Sequence, residues 1–129
     1  MNSSGPESAR AFKKVLLAAD SSQLEKARID YLLERISESP YNFIRNGRVY
    51  DGKRASMHLR WKHFRHSSQA KTAEDFLKNI AASSKMSGEP YSIQLPDKKR
   101  YPLRPILEKE LQALDEAIQN KKAETSPSE

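Results

Sequence analysis

The sequence predicts a small, mainly helical α+β domain in which three or four helices pack with one or two short β-hairpins. Several segments repeat apolar residues every three or four positions, shorter segments alternate apolar with polar residues, and Asn46-Gly47 is a strong hairpin signal. A chain of 129 residues suits one domain. We expect a polar N-terminal extension with a possible short helix (residues 1–20), a globular domain (21–118) and a disordered tail (119–129).

Two helices are expected before Pro40. Residues 8–19 have apolar positions with helical spacing, and Ser22 with Glu25 has the pattern of a capping box that starts a second helix. Proline disfavours helical geometry in the residue before it, so the second helix should end before Pro40. Its buried face is predicted from four apolar residues spaced i, i+3, i+4 and i+7: Ile29, Leu32, Leu33 and Ile36.

The middle of the chain predicts a hairpin followed by an unusual helix. Asn46-Gly47 tolerates the positive φ angles of a two-residue turn. From Lys53 to about His66, successive residues placed about 100° apart give two apolar strips on nearly opposite sides. Such a helix either packs between two layers or keeps one strip for a partner. One strip contains Ala55 and Leu59, and the other contains Met57, Trp61 and Phe64.

The C-terminal third predicts a helix, a strand pair and a long last helix. Thr72 and Asp75 form a second capping-box pattern, and the alternation in residues 91–95 predicts a strand. Residues 101–103 are expected to return beside it. Pro105 suits the first turn of the last helix, where the missing N–H has no helical partner to lose.

Positive charge is concentrated in residues 43–66. This segment holds seven basic residues against one acidic residue and so carries the whole net charge of +6, together with all three histidines and the sole tryptophan. Arg54, His58 and Lys62 are spaced i, i+4, i+8 and should share one side of the helix. The segment therefore predicts a basic surface for an anionic ligand or polymer, with nonspecific nucleic-acid binding as the alternative. A solvated face paired with acidic helices is the competing interpretation.

Several function classes lack their sequence signals. The absence of cysteine excludes disulfides and thiolate chemistry, and no apolar run could span a bilayer. His63 and His66 have no evident third ligand, so we expect neither a metal site nor another cofactor. The loop at residues 83–88 is rich in serine and could cradle an anion. A hydrolase using Ser84 or Ser87 with His58 is a further alternative, but no catalytic motif supports it, and we favour a non-enzymatic protein.

Several separate motifs follow one another along the chain. They are IDYLL at 29–33, FIRNG at 43–47, Ala55 with His58, Leu59, Arg60 and Lys62, TAEDF at 72–76, and Ser83-Ser84 with SGEPY at 87–91. Together they resemble the YfeK-like family of small bacterial proteins of unknown function, over roughly residues 28–115. The resemblance implies an exported, periplasmic protein, whereas the chain as given carries no signal peptide and would be cytoplasmic. It implies no activity, substrate or cofactor.

From the residues and the resemblance together we predict one polar site. The hairpin, the helix face that bears His58 and Lys62, and the serine loop are expected to converge there. The ligand and the oligomeric state stay open. The predicted ligand-binding residues are Arg45, Asn46, Arg54, His58, Lys62, Ser83, Ser84, Ser87 and Tyr91.

Overall fold

The computed structural model describes residues 4–125, and over this range the protein has the predicted mainly helical α+β fold. In chain order, a 3-10 turn at Pro6–Ser8 precedes α1 (Arg10–Leu16), α2 (Ser21–Ser37), β1 (Asn42–Arg45), β2 (Arg48–Tyr50) and α3 (Gly52–Arg65). A second 3-10 turn (Ser67–Gln69) is followed by α4 (Ala73–Asn79), β3 (Ser92–Gln94), β4 (Arg100–Pro102) and α5 (Leu103–Thr125). No helix in this range is both long and apolar enough to cross a membrane.

The two predicted strand pairs join in one antiparallel sheet with strand order β2-β1-β3-β4. Strand β1 pairs with β3, which sets Phe43 opposite Ile93. Both side chains are buried in the core. Because side chains alternate across a strand, Arg45 lies on the same face of β1 as Phe43, the face that the core covers. The sheet thereby directs one arginine toward the helices.

The N-terminal helix packs on α2. The carboxylate of Glu34 accepts hydrogen bonds from the backbone N–H groups of Arg10 and Ala11, at 2.7 and 2.9 Å, which satisfies two of the unpaired donors at the start of α1. Phe12 and Val15 belong to the same core as α2. The division of the chain at residue 20 stays a prediction.

The predicted capping box at the start of α2 is wrong. Asp20 is the N-cap, and its side chain accepts a hydrogen bond from the Gln23 N–H at 2.9 Å. Ser22 lies inside the helix, and Glu25 is bonded to Arg28 and to the N–H of Ala73. An aspartate two residues earlier supplies the same capping chemistry and so starts the helix sooner. The second predicted cap is present, because Thr72 Oγ1 accepts from the Asp75 N–H.

Arg28 joins three helices. Its guanidinium donates to Glu25 on α2, Glu74 on α4 and Asp115 on α5, with shortest distances of 2.8, 2.7 and 2.8 Å. Burial alone would lower the pKa of Arg28, but the carboxylates outweigh burial and raise it. Helix α5 runs to Thr125 and overlaps the tail predicted from residue 119; residues 126–129 lie outside the described range.

Helix α3 lies between the core and the surface. Asp51 caps it by accepting from the Arg54 N–H, and Ser56 Oγ donates to the Leu33 carbonyl of α2 at 2.8 Å. At Gly52 the backbones meet so closely that a Cβ atom would overlap the Ile36 carbonyl oxygen. Ala55 and Leu59 are consequently buried, whereas the second apolar strip faces outward.

Candidate functional site

The hairpin turn is fastened to the serine loop by one asparagine. Asn46 and Gly47 have φ angles of 50° and 77°, the left-handed conformation expected at this turn. Asn46 Nδ2 donates to Ser84 Oγ at 3.1 Å, and Ser87 Oγ donates to Asn46 Oδ1. These contacts hold the tip of β1–β2 against residues 83–88.

Lys62 is a buried cation that crosses from α3 to the same loop. Its side chain is only 7% exposed, and its ammonium donates to the carbonyls of Ile80 and Ser83, both at 2.7 Å. The third hydrogen bond goes to Tyr91 Oη at 3.0 Å. All three acceptors are neutral. Lys62 is thus fully hydrogen-bonded without a counter-charge.

The surroundings of Lys62 disfavour its charged form. Burial, followed by the nearby positive charges of Lys85 and Arg45, lowers its pKa from the usual 10.5 to about 8. Burial also raises the pKa of Tyr91, while Arg45 acts in the opposite direction. An anion close to this group would relieve the repulsion and raise the pKa of Lys62.

A small cavity lies beside Tyr91, between β1 and α3. It measures about 20 Å³, room for about one water molecule. Arg45, His58 and Tyr91 are among its lining residues, although the surface that faces the cavity is apolar, and the His58 and Tyr91 rings meet edge to face with centroids 6.4 Å apart. Apolar side chains complete the wall: Phe43, Ile44, Tyr50, Ala55, Leu59 and Leu103.

Two buried nitrogens at this cavity have no hydrogen-bond partner within residues 4–125. They are Arg45 Nε and His58 Nε2. Burial, followed by the positive charges of Arg45 and Lys62, lowers the pKa of His58. The imidazole is therefore neutral at pH 7, and its Nε2 can donate or accept depending on the tautomer. Buried polar atoms normally have partners, so each of these two atoms lacks a partner that a ligand or a water could supply, although neither nitrogen is exposed to the cavity as it stands.

The charge around the cavity is uncompensated. None of the ion pairs among the described residues involves Arg45 or Lys62. In addition, Arg45 is directly opposite Arg48 in the hairpin register, and like charges at such positions repel each other. Arg48 was not among the predicted site residues, although its place across an Asn-Gly turn from Arg45 could have revealed the pairing.

The structure places the predicted site residues in four different ways. Arg45, His58 and Tyr91 line the cavity, and Lys62 reaches Tyr91 from behind. Ser83 takes part through its carbonyl rather than its hydroxyl. Arg54 is exposed on α3 and is not among the residues that line the cavity. The others, Asn46, Ser84 and Ser87, bind one another and hold the loop.

The contacts give no support to a serine hydrolase that uses His58 or to a metal site at His63 and His66. Ser84 Oγ accepts from Asn46 and from the Met86 N–H, and within the described residues no serine is hydrogen-bonded to His58. His63 places Nε2 3.1 Å from the Ala70 carbonyl. Within residues 4–125, no three or more His, Cys, Asp or Glu side chains are grouped so as to hold a metal ion.

Comparison with known proteins identifies the family. A family model described as a family of unknown function, DUF5329, matches residues 23–115. The uncharacterized protein YfeK of Salmonella typhimurium is 35% identical over 68 residues, which cover 52% of this chain and 57% of that protein. No solved structure matches this chain. The predicted YfeK-like resemblance is confirmed, and because the family model matches well over half of its residues, the chain belongs to the DUF5329 family of unknown function.

Proposed function

We propose that this protein is a non-enzymatic binding module for a small anionic ligand, which enters the cavity between β1 and α3. The observation that supports the proposal most strongly is the meeting of three basic side chains, Arg45, His58 and Lys62, with no carboxylate bound to them in the described structure. Two of their buried nitrogens are unpartnered. A ligand that brings negative charge and hydrogen-bond acceptors would supply what this arrangement lacks.

The size of the cavity restricts the ligand. Room for about one water molecule admits one oxygen atom of a carboxylate or a phosphate group, but not a whole metabolite. The rest of the ligand would lie outside the cavity, toward Arg48, which pairs with Arg45 in the hairpin register. We therefore propose an oxyanion that inserts one oxygen and leaves its body near the hairpin.

Each residue has a separate role in this proposal. Arg45 would turn Nε toward the inserted oxygen and donate to it, and His58 would do the same from Nε2 in the corresponding tautomer. The positive charge of Lys62, which is hydrogen-bonded to Tyr91 beside the cavity, attracts the anion, and its bond to the Ser83 carbonyl holds the serine loop in place. Asn46 positions Arg45 by fixing the adjacent turn. None of these roles requires a covalent step, so the proposal contains no catalysis.

The remaining alternatives differ in the surface they need. A serine hydrolase would require a hydroxyl beside His58, whereas Ser84 and Ser87 are bound to Asn46. Nonspecific nucleic-acid binding concerns another surface, the outward face of α3 that carries Trp61.

Titration with inorganic phosphate, and separately with acetate, tests the proposal. We expect amide NMR signals of β1, of His58 and of Tyr91 to move progressively and to saturate. Arg45→Gln should weaken binding about tenfold or more, because a hydrogen bond to a charged group is lost. Arg60→Gln is the matched control, since Arg60 pairs with Asp30 at the surface of α3, away from the cavity lining.

Two results would contradict the proposal. One is the absence of localised signal changes with either anion. The other is an equal loss of affinity in the Arg45→Gln and Arg60→Gln proteins, which would mean that only the general positive charge attracts anions.

A further inference from the structure

The outward face of α3 carries a continuous apolar strip. Met57, Trp61 and Phe64, spaced i, i+4 and i+7, are 70%, 57% and 74% exposed. The Trp61 and Phe64 rings stack on each other, with centroids 5.9 Å apart and planes 19° from parallel. Large apolar side chains are seldom grouped at a surface without a partner, so this strip indicates an interaction surface.

Basic side chains border the strip on both sides. With about 100° between successive residues, Lys53 and Arg60 project along one edge and Arg54 and Arg65 along the other. The helix contains no acidic residue. Among the described residues Asp30 neutralises Arg60 at 3.3 Å, which leaves three bordering cations without an ion pair. The partner of this face should consequently be negatively charged.

The shape of the surface favours a membrane. Trp61 and Phe64 project outward from a single helix, and of the three strip residues Met57 borders a groove that α3 forms with α1 and α2. Peptide partners are usually held in a groove between elements, whereas the two aromatic rings lie outside this one. Tryptophan and phenylalanine at the centre with arginine and lysine at the edges is the arrangement of helices that lie in the interface of a bilayer.

The ring geometry argues against nucleic acid on this face. Bases bind exposed aromatic residues by stacking on a free ring face. Trp61 and Phe64 turn one face toward each other, and the Arg65 guanidinium lies 6.0 Å from the Trp61 ring centre. The second face of Phe64 and the ring edges remain open, and the edges suit insertion among acyl chains and lipid headgroups.

We propose that the outward face of α3 binds the surface of an anionic phospholipid bilayer. Trp61, Phe64 and Met57 enter the interfacial layer, while Lys53, Arg54 and Arg65 meet the lipid phosphates. The cavity beside Tyr91 plays no part in this contact, so the two proposals stand or fall separately.

Vesicle binding by the full chain tests this inference, with Trp61 as the sole tryptophan reporter. Vesicles of mixed phosphatidylglycerol and phosphatidylcholine should shift its emission to shorter wavelength and sediment the protein, whereas phosphatidylcholine alone should do neither. Arg65→Gln should lower the partition coefficient about fivefold, the contribution of one cation at an anionic surface.

A variant that lacks one of the inserted rings distinguishes insertion into the bilayer from charge attraction alone. Phe64→Ser should lower vesicle affinity about tenfold or more, because burying a phenylalanine side chain contributes that much. Its control is Leu17→Ser, which removes an equally exposed apolar side chain (67%) from the C-terminal end of α1. Both side chains are exposed, so both variants should fold, as circular dichroism can verify.

Three outcomes would overturn the inference. They are no binding to anionic vesicles, equal binding by wild type and Phe64→Ser, and quenching of Trp61 by short single-stranded DNA without any vesicle binding. The last outcome would assign the face to nucleic acid. Phosphate titration of the cavity is unaffected by any of them.

Discussion

Lys62 should make the stability of this protein rise with pH in the mildly alkaline range. Burial and the charges of Lys85 and Arg45 lower its pKa to about 8 in the native state, whereas the unfolded chain keeps the usual 10.5. Between these two values the unfolded chain holds a proton that the native protein has released, so the free energy of unfolding increases as pH rises. Conversely, this contribution is lost as pH falls through the native pKa.

The size of the effect follows from the two pKa values. For one group with these two pKa values, proton linkage raises the free energy of unfolding by at most about 2 kcal/mol between about pH 7 and about pH 9.5. Partial solvent screening near the loop reduces this, so we expect about 1 to 2 kcal/mol.

Urea unfolding followed by circular dichroism measures the effect, with Lys62→Met as the reference because other lysines and tyrosines titrate in both proteins. The stability of the wild type relative to Lys62→Met should grow by the stated amount across that range. If the variant does not fold, the NMR pKa of the Lys62 side chain gives the same information. A constant or shrinking difference, or a native pKa near 10.5, would refute the reasoning.

Three further predictions concern the framework, each measured by chemical denaturation. Arg28→Met should lower the free energy of unfolding by about 2 to 3 kcal/mol because three carboxylates lose their partner, whereas Arg60→Met, which removes an exposed ion pair, should lower it by less than about 1 kcal/mol. Equal losses would contradict the role of Arg28 in joining three helices. Asn46→Gly keeps the turn conformation but removes the bonds to the serine loop, so we expect a loss of about 1 to 2 kcal/mol and faster amide exchange at residues 83–91; unchanged exchange would contradict this role. Gly52→Ala should cost about 1 to 3 kcal/mol because its Cβ meets the α2 backbone, and Gly5→Ala, with open space around it, should change stability by less than about 0.5; similar effects would contradict the close packing.

Local patterns in the sequence were sufficient to predict most elements of the fold. The Asn46-Gly47 turn, the helix after Asp51 and the strand near residue 93 each depend on side chains within a few residues of one another. The two strips of α3 were also predictable, since burial of Ala55 and Leu59 follows from helical spacing. That the other strip lies outward follows from packing, because α2 and the loop after α4 occupy the inner side.

Contacts between distant parts of the chain were not predictable. The acceptors of Lys62 lie 18, 21 and 29 residues away, so its spacing with Arg54 and His58 suggested a shared exposed face that the fold divides. Arg28 similarly binds acids 46 and 87 residues away. The joining of β1 with β3 into one sheet is another long-range event, which short strand patterns cannot specify.

The His58 imidazole offers the most direct test of anion binding in the cavity. Burial and the charges of Arg45 and Lys62 lower its pKa. An oxyanion bound between His58 and Arg45 would favour the charged imidazolium and reverse that shift. We predict that saturating inorganic phosphate raises the NMR-measured pKa of His58 in the wild type but not in Arg45→Gln. An unchanged pKa of His58 in the wild type, at phosphate concentrations up to the solubility limit of the protein, would contradict the proposed site.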